Sequence, residues 1–296
     1  MDEQLFSACR EGDLNKVKLL LSQGSINLNC LDSNNSTPFY IACQFGYMDI
    51  VKLLLNDERV DSIEINKLKL GGNNNQTPFL AACQWGKIDV VKLLLNDQRV
   101  DINKANNYGS TPFWIACYNG YTKVVKLLLS DQRVDINKAN TDRETPFFIA
   151  CLQGHIEIVK LLLNDKRVEV NKARPNEVTP FYITCENGHV EIVKLLLNDK
   201  RINTNKTNNY GQTPFYVACW KGHIEIVKLL LNDKRIDTKK ENKNEVTPLH
   251  LVCKEGHIEI MKLLLSDQRV DINKSDNCGQ TPASMACSNG HIEIVK

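Results

Sequence analysis

The chain has 296 residues, 42% hydrophobic and 24% charged, with 37 Lys plus Arg against 35 Asp plus Glu and a formal charge of +2. That apolar fraction excludes global disorder, and the near-neutral balance lacks the basic footprint of a dedicated nucleic-acid binder. No apolar run reaches the roughly 18 residues a membrane helix needs, and the acidic opening MDEQLFSACREGD lacks the layout of a signal peptide; an intracellular, cytoplasmic protein is expected.

The first element, around residues 3–11, takes its meaning from its register with the rest of the chain. Thr-Pro occurs at Thr37, Thr77, Thr111, Thr145, Thr179, Thr213, Thr247 and Thr281, in steps of 40 and then six times 34. Counting 34 back from Thr37 lands on Glu3, where EQLFSAC aligns with TPFYIAC. Nine units result, at 1–34, 35–74, 75–108, 109–142, 143–176, 177–210, 211–244, 245–278 and a shortened 279–296. A fixed period of this kind marks one repeat array over 1–296 rather than two globular domains.

Each unit reads in one order. Thr-Pro predicts a helix start, because the Thr oxygen caps free N–H groups and Pro fits the first turn. About two turns come next, Phe113 to Asn119 for example, closed by a Gly in the left-handed position. A second helix succeeds them, Val124 to Ser130 in that unit, and then Asp-Gln-Arg-Val-Asp-Ile-Asn leads into an Asn-rich tip. Between the second and third units the connector carries six extra residues. There Ile63, Ile65, Leu68 and Leu70 alternate with polar residues before Gly71-Gly72-Asn73-Asn74-Asn75. Alternation suggests a two-stranded finger; a tolerated surface insertion is the competing reading.

TPFYVACWKGHIEIVKLLL (Thr213 to Leu231) and Thr247-Pro248-Leu249-His250 resemble the ankyrin-repeat signature, and the resemblance covers nearly the whole chain. It implies an all-α solenoid of stacked helix-turn-helix units with protruding loops, on the order of 80–90 Å long at a helix spacing of about 8–10 Å. Two departures stand out. The period is one longer than the family's usual 33 or so. The signature His is replaced by Tyr40, Leu80, Trp114, Phe148, Tyr182, Tyr216 and Ser284, so the turn it holds in the family must be held differently here.

Nine of eleven cysteines (Cys9, Cys43, Cys83, Cys117, Cys151, Cys185, Cys219, Cys253 and Cys287) share one register on the first helix. Copies about 10 Å apart cannot meet the Cα separation of about 7 Å that a disulfide tolerates. They read as reduced core thiols. The Cys-x-x-x-His pairs, such as Cys151…His155, lack four converging ligands. Glu157…Lys160 and its copies have the spacing of surface ion pairs, and Asp-x-Arg, as in Asp131…Arg133, reads as a tie between loops. No catalytic group, cofactor or metal is expected.

Function in a repeat array sits where the units differ. By the family's geometry, the two residues before the turn Gly face a concave surface, and there Phe45, Trp85, Tyr118 and Trp220 are large aromatics of the kind that dominates binding hot spots. The loop tips add Tyr108, Arg143, Arg174 and Tyr210, and the replaced His column supplies Trp114, Tyr182 and Tyr216, for which space-filling is the plainer reading. Charges are absent from the first half of this face and mixed from Glu186 onward, which places a partner's core on units two to four. A monomeric, non-catalytic scaffold for a protein or peptide is the leading expectation. A targeting or regulatory arm of a larger kinase, channel or effector is the alternative, favoured by the chain stopping at Lys296 before the Leu-Leu-Leu of every other second helix. Nucleic-acid binding is disfavoured because no basic groove accompanies the aromatics.

Overall fold

A computed structural model describes residues 2–24, 26–60, 65–69 and 75–295, the side chain of Val295 excepted. Among the described residues the chain is helical, without strands. It forms two compact units, 1–146 and 147–296. The first holds α1 (Asp2–Glu11), α2 (Leu14–Ser22), α3 (Pro38–Phe45), α4 (Met48–Leu55), α5 (Pro78–Gln84), α6 (Ile88–Leu95), α7 (Pro112–Tyr118) and α8 (Thr122–Leu129). From the boundary onward come α9 (Pro146–Gln153), α10 (Ile156–Leu163), α11 (Pro180–Glu186), α12 (Val190–Asn198), α13 (Pro214–Trp220), α14 (Ile224–Asn232), α15 (Pro248–Glu255), α16 (Ile258–Ser266), α17 (Pro282–Ser288) and α18 (Ile292–Val295).

The Thr-Pro signal acts as read. The Thr37, Thr77, Thr111, Thr179, Thr213, Thr247 and Thr281 oxygens each accept from the backbone N–H three residues on, with Pro in the first turn. Helices this short are marginal alone, and burial supplies what propensity does not. In α3, α5, α7, α11 and α13 every residue from Pro to Cys is buried. First helices pack in the order α1, α3, α5, α7 in one unit and α11, α13, α15, α17 in the other; second helices pack alongside in the same order.

The thiol column lies within this packing. Cys9, Cys43, Cys83, Cys117, Cys151, Cys185, Cys219 and Cys253 are free and buried, and burial pushes the Cys9 and Cys151 thiols up to about 12. Cys287, expected to share that burial, is exposed. Among the described residues no further first helix stacks on α17 to cover it. Of the expected finger, Ile63, Leu70 and Gly71–Asn74 lie outside the described residues. Beside them Ile65 is buried, and Lys69 donates to the Gln76 carbonyl at 2.8 Å in an isolated antiparallel bridge.

Neighbouring repeats are tied by side chains that reach one another's main chain. Arg99, Arg133, Arg201 and Arg235 each donate to the carbonyl of a Leu at the end of the preceding second helix, at 2.6–2.9 Å. These are carbonyls that a helix terminus leaves without intrahelical partners. Each of these Arg residues is also held by the Asp two residues earlier. The Asn of the connector forms a second tie. The Asn103 amide donates to the Arg133 carbonyl (2.7 Å) and accepts from the Asp135 N–H (2.9 Å). Asn66, Asn171 and Asn205 repeat the two-pronged bond.

Candidate functional site

In a helix whose Pro-to-Cys stretch is wholly buried, only the residues just before the turn remain to face solvent. There Phe45 is 46% exposed, Trp85 49% and Tyr118 42%, although each could bury well over 100 Å². Two are steadied by other rings. Phe45 stacks on Tyr47 with centroids 6.1 Å apart, and Tyr118 lies on Trp114 at 5.4 Å and 11° between planes. At the register of Tyr118, Trp220 is half-buried, with the Lys221 ammonium 4.5 Å from its ring centroid.

Trp114, Tyr182 and Tyr216 occupy different surroundings. All three are buried, as are Tyr40, Leu80 and Phe148 in the same column. Their polar ends explain how the chain manages without the signature His. The Thr oxygen caps the helix locally, while the aromatic reaches forward to the next loop. Trp114 Nε1 donates to the Glu144 carbonyl at 2.9 Å, and Tyr40 Oη donates to Gln76 Oε1 at 3.0 Å. The Asn208 amide donates to Tyr182 Oη at 3.1 Å, and the Asn242 amide to Tyr216 Oη at 2.9 Å. His250 does both jobs: its Nδ1 accepts from the Thr247 N–H, and its Nε2 lies 3.0 Å from the Gln280 carbonyl. Burial raises the phenol of Tyr182, with the nearby Glu186 carboxylate adding to it, and pushes that of Tyr216 to about 12.

At the loop tips Tyr108, Arg143 and Tyr210 are exposed. Asn106 shapes one tip by accepting from the Tyr108 and Ser110 N–H groups, at 3.0 Å each, and Asn208 repeats this for Tyr210 and Gln212. Successive tips touch: the Thr141 N–H donates to the Tyr108 carbonyl at 2.8 Å, and the Lys243 N–H to that of Tyr210 at 3.0 Å. Arg143 holds a φ of +60°, at a position where the neighbouring tip has Gly109.

In the second compact unit the structure brings four of the candidate residues together. Arg174, Tyr182, Tyr210 and Trp220 line one cleft of about 340 Å³. The Arg174 guanidinium is held 5.6 Å from the Phe148 ring centroid, and its Nε donates to Asn176 Oδ1. Asn176, Val178, Glu186, Asn208 and Gln212 complete the lining. The sequence marks Glu186 only as the start of the mixed charges on this face, and Asn208 and Gln212 were not among the expected contacts. No three His, Cys, Asp or Glu side chains among the described residues are gathered as a metal site, and no described helix is long and apolar enough to cross a membrane.

A family model described as "Ankyrin repeats (3 copies)" matches residues 5–106, 59–140, 98–174, 149–242 and 234–296. The chain belongs to the ankyrin-repeat family. A stretch of 53 residues, 18% of this ankyrin-repeat chain, is 40% identical to the "Ankyrin repeat-containing protein YIL001W" of Saccharomyces cerevisiae (strain ATCC 204508 / S288c) and covers 10% of that protein. Ankyrin repeats are generally protein–protein interaction modules and typically non-catalytic, which directs attention to surfaces rather than to reacting groups.

Proposed function

We propose that this chain is a non-catalytic interaction scaffold that binds a protein or peptide through the ends of its first helices and the adjoining loop tips. The observation that carries the reading is the exposure of Phe45, Trp85 and Tyr118, each at one of the two positions before the turn Gly of successive repeats, while Phe39, Phe79 and Phe113 on the same helices are buried. Large rings held in water at a repeated position are ready-made anchors, because they desolvate much area at little entropic cost. The Arg174–Tyr210–Trp220 cleft offers a further contact for a partner's side chain. We propose that the nine repeats act as one array, since the step from Thr111 to Thr145 to Thr179 is unbroken. We also propose that it works as a monomer in a reducing cytoplasm, where eleven free thiols persist. The matched yeast protein is far longer than the matched stretch, which supports a second reading: the array as targeting or regulatory arm of a larger protein.

The test is capture from a lysate of the source cell by the parent chain and by a Trp85→Ala, Tyr118→Ala, Trp220→Ala variant of matched thermal stability. A protein retained by the parent and lost by the variant is the expected result. Equal retention by both would move the binding surface away from these rings.

A further inference from the structure

At Lys239 the two-pronged Asn tie is missing. Lys239 stands where Asn103, Asn171 and Asn205 stand in other repeats, so the Arg269 carbonyl and the Asp271 N–H lack the carboxamide that their counterparts receive. Two further framework changes meet there. Thr238, like Thr204, occupies the place of Ile102 and Ile136, and Leu249 that of Phe79, Phe113, Phe147, Phe181 and Phe215. Smaller side chains on both walls leave a cavity of about 210 Å³, lined by Thr238, Lys239, Leu249, Leu264, Val270 and Asp271. Thr238 is only 3% exposed, and its Oγ1 has no hydrogen-bond partner, an unfavourable state for a buried hydroxyl. The Lys239 side chain is exposed and leaves the position open. Lys274 pairs with Glu241 and Glu245 at the mouth, so the rim carries both signs of charge and selects neither cation nor anion.

We propose that this pocket binds a primary carboxamide. Its oxygen accepts from the Asp271 N–H, its NH₂ donates to Thr238 Oγ1, and its short methylene stem packs on Leu249, Leu264 and Val270. The other repeats supply this same group from within the chain; here it comes from outside. The volume exceeds the roughly 30 Å³ of a water molecule and falls below the range of about 300–1,000 Å³ for drug-sized ligands, which suits one glutamine or asparagine side chain, or a free small amide. The proposal does not depend on the aromatic anchors of the first helices.

The test is a titration of the full chain, methyl-labelled at Leu, Val and Thr, with propionamide and with N-acetylglutamine N-methylamide, monitored by NMR. Saturable shifts at the Thr238, Leu249, Leu264 and Val270 methyls are expected. Tighter binding of the capped glutamine assigns the carboxamide to a peptide, and equal or weaker binding assigns it to a free amide. Butanone, which has the shape but no NH₂, should bind at least tenfold more weakly. Lys239→Asn should supply the carboxamide internally and weaken propionamide at least tenfold while raising the melting temperature; Leu249→Phe should do the same by filling the pocket. A pocket that holds only water and shows no saturable shift, butanone matching propionamide, or undiminished binding to both folded variants would overturn the proposal.

Discussion

The Nη2 of Arg133 lies 2.6 Å from the carbonyl oxygen of Leu95, 38 residues earlier, and 2.6 Å from Oδ2 of Asp131. One guanidinium therefore closes the end of a helix in the preceding repeat while its own loop holds it in place. The two-point hold on Asp131, Nε to Oδ1 and Nη2 to Oδ2, requires the planar fork of Arg, which an ammonium lacks. Arg133→Ala should destabilise the chain by about 1 kcal/mol, a charged hydrogen bond discounted for partial exposure. Arg133→Lys should lose nearly as much. Urea denaturation of both variants decides, and full recovery by Lys would reduce the role to charge alone.

The same pairs set an acid limit. Hydrogen bonds from the neighbouring Arg hold the carboxyls of Asp57, Asp97, Asp131, Asp165, Asp199, Asp233 and Asp267 below the ordinary carboxylate range. A folded-state pKa below the unfolded value of about 3.9 means that the contribution is complete above about pH 4. It is lost as pH falls through the folded values, where the unfolded chain binds more protons. Melting temperatures measured from pH 6 to pH 2.5 should fall below about pH 4, and Asp131→Asn should flatten that fall. An Asn variant with the parent's slope would contradict the assignment.

Gly188 takes a φ of +77°, and a Cβ placed there would sit 2.9 Å from Cε1 of His223, whose Nε2 lies 2.9 Å from the Glu186 carbonyl. Gly188→Ala therefore meets both a strained backbone and a ring that cannot retreat without breaking its bond. A loss of about 1–3 kcal/mol is expected. With His223→Ala present the ring is gone and only the backbone strain remains. The two changes should miss additivity by at least about 0.5 kcal/mol in a double-mutant cycle; strict additivity would separate the glycine from the histidine.

Arg143 offers a contrast. Its φ of +60° is shared by Glu177 (+62°) and Glu245 (+59°), whereas Gly109, Gly211 and Gly279 occupy the same place in other tips. Arg143→Gly should leave stability unchanged or raise it by up to about 1 kcal/mol, because the strain removed outweighs the flexibility added. Calorimetry checks the first half of this expectation. If the side chain is kept there for a partner, the stabilised variant should bind that partner less well.

The helices and their order were legible because each depends on residues close in sequence: a Thr oxygen three positions from its N–H, a Gly at a turn, a Cys on a face that any neighbour would cover. What escaped notice depends on the next repeat. Asn103 reads as ordinary loop polarity until the Arg133 carbonyl arrives beside it, 30 residues on. Trp114 reads from its register as a space-filling ring, but the bond from its Nε1 to the Glu144 carbonyl, 30 residues on, depends on where the following loop lies. Cys287 obeys the column's register and still lies open, because burial there belongs to the neighbour rather than to the thiol.

Three kinds of tie between repeats end on peptide groups: the Leu95 carbonyl for Arg133, the Arg133 carbonyl for Asn103, the Glu186 carbonyl for His223. Every residue type offers those atoms, so a copy of one repeat moved elsewhere in the array would meet the same acceptors whatever its new neighbour's side chains. Gene duplication, loss and shuffling of whole repeats then need no matching change next door. Residues outside these ties, among them Trp85 and Trp220, are free to diverge copy by copy.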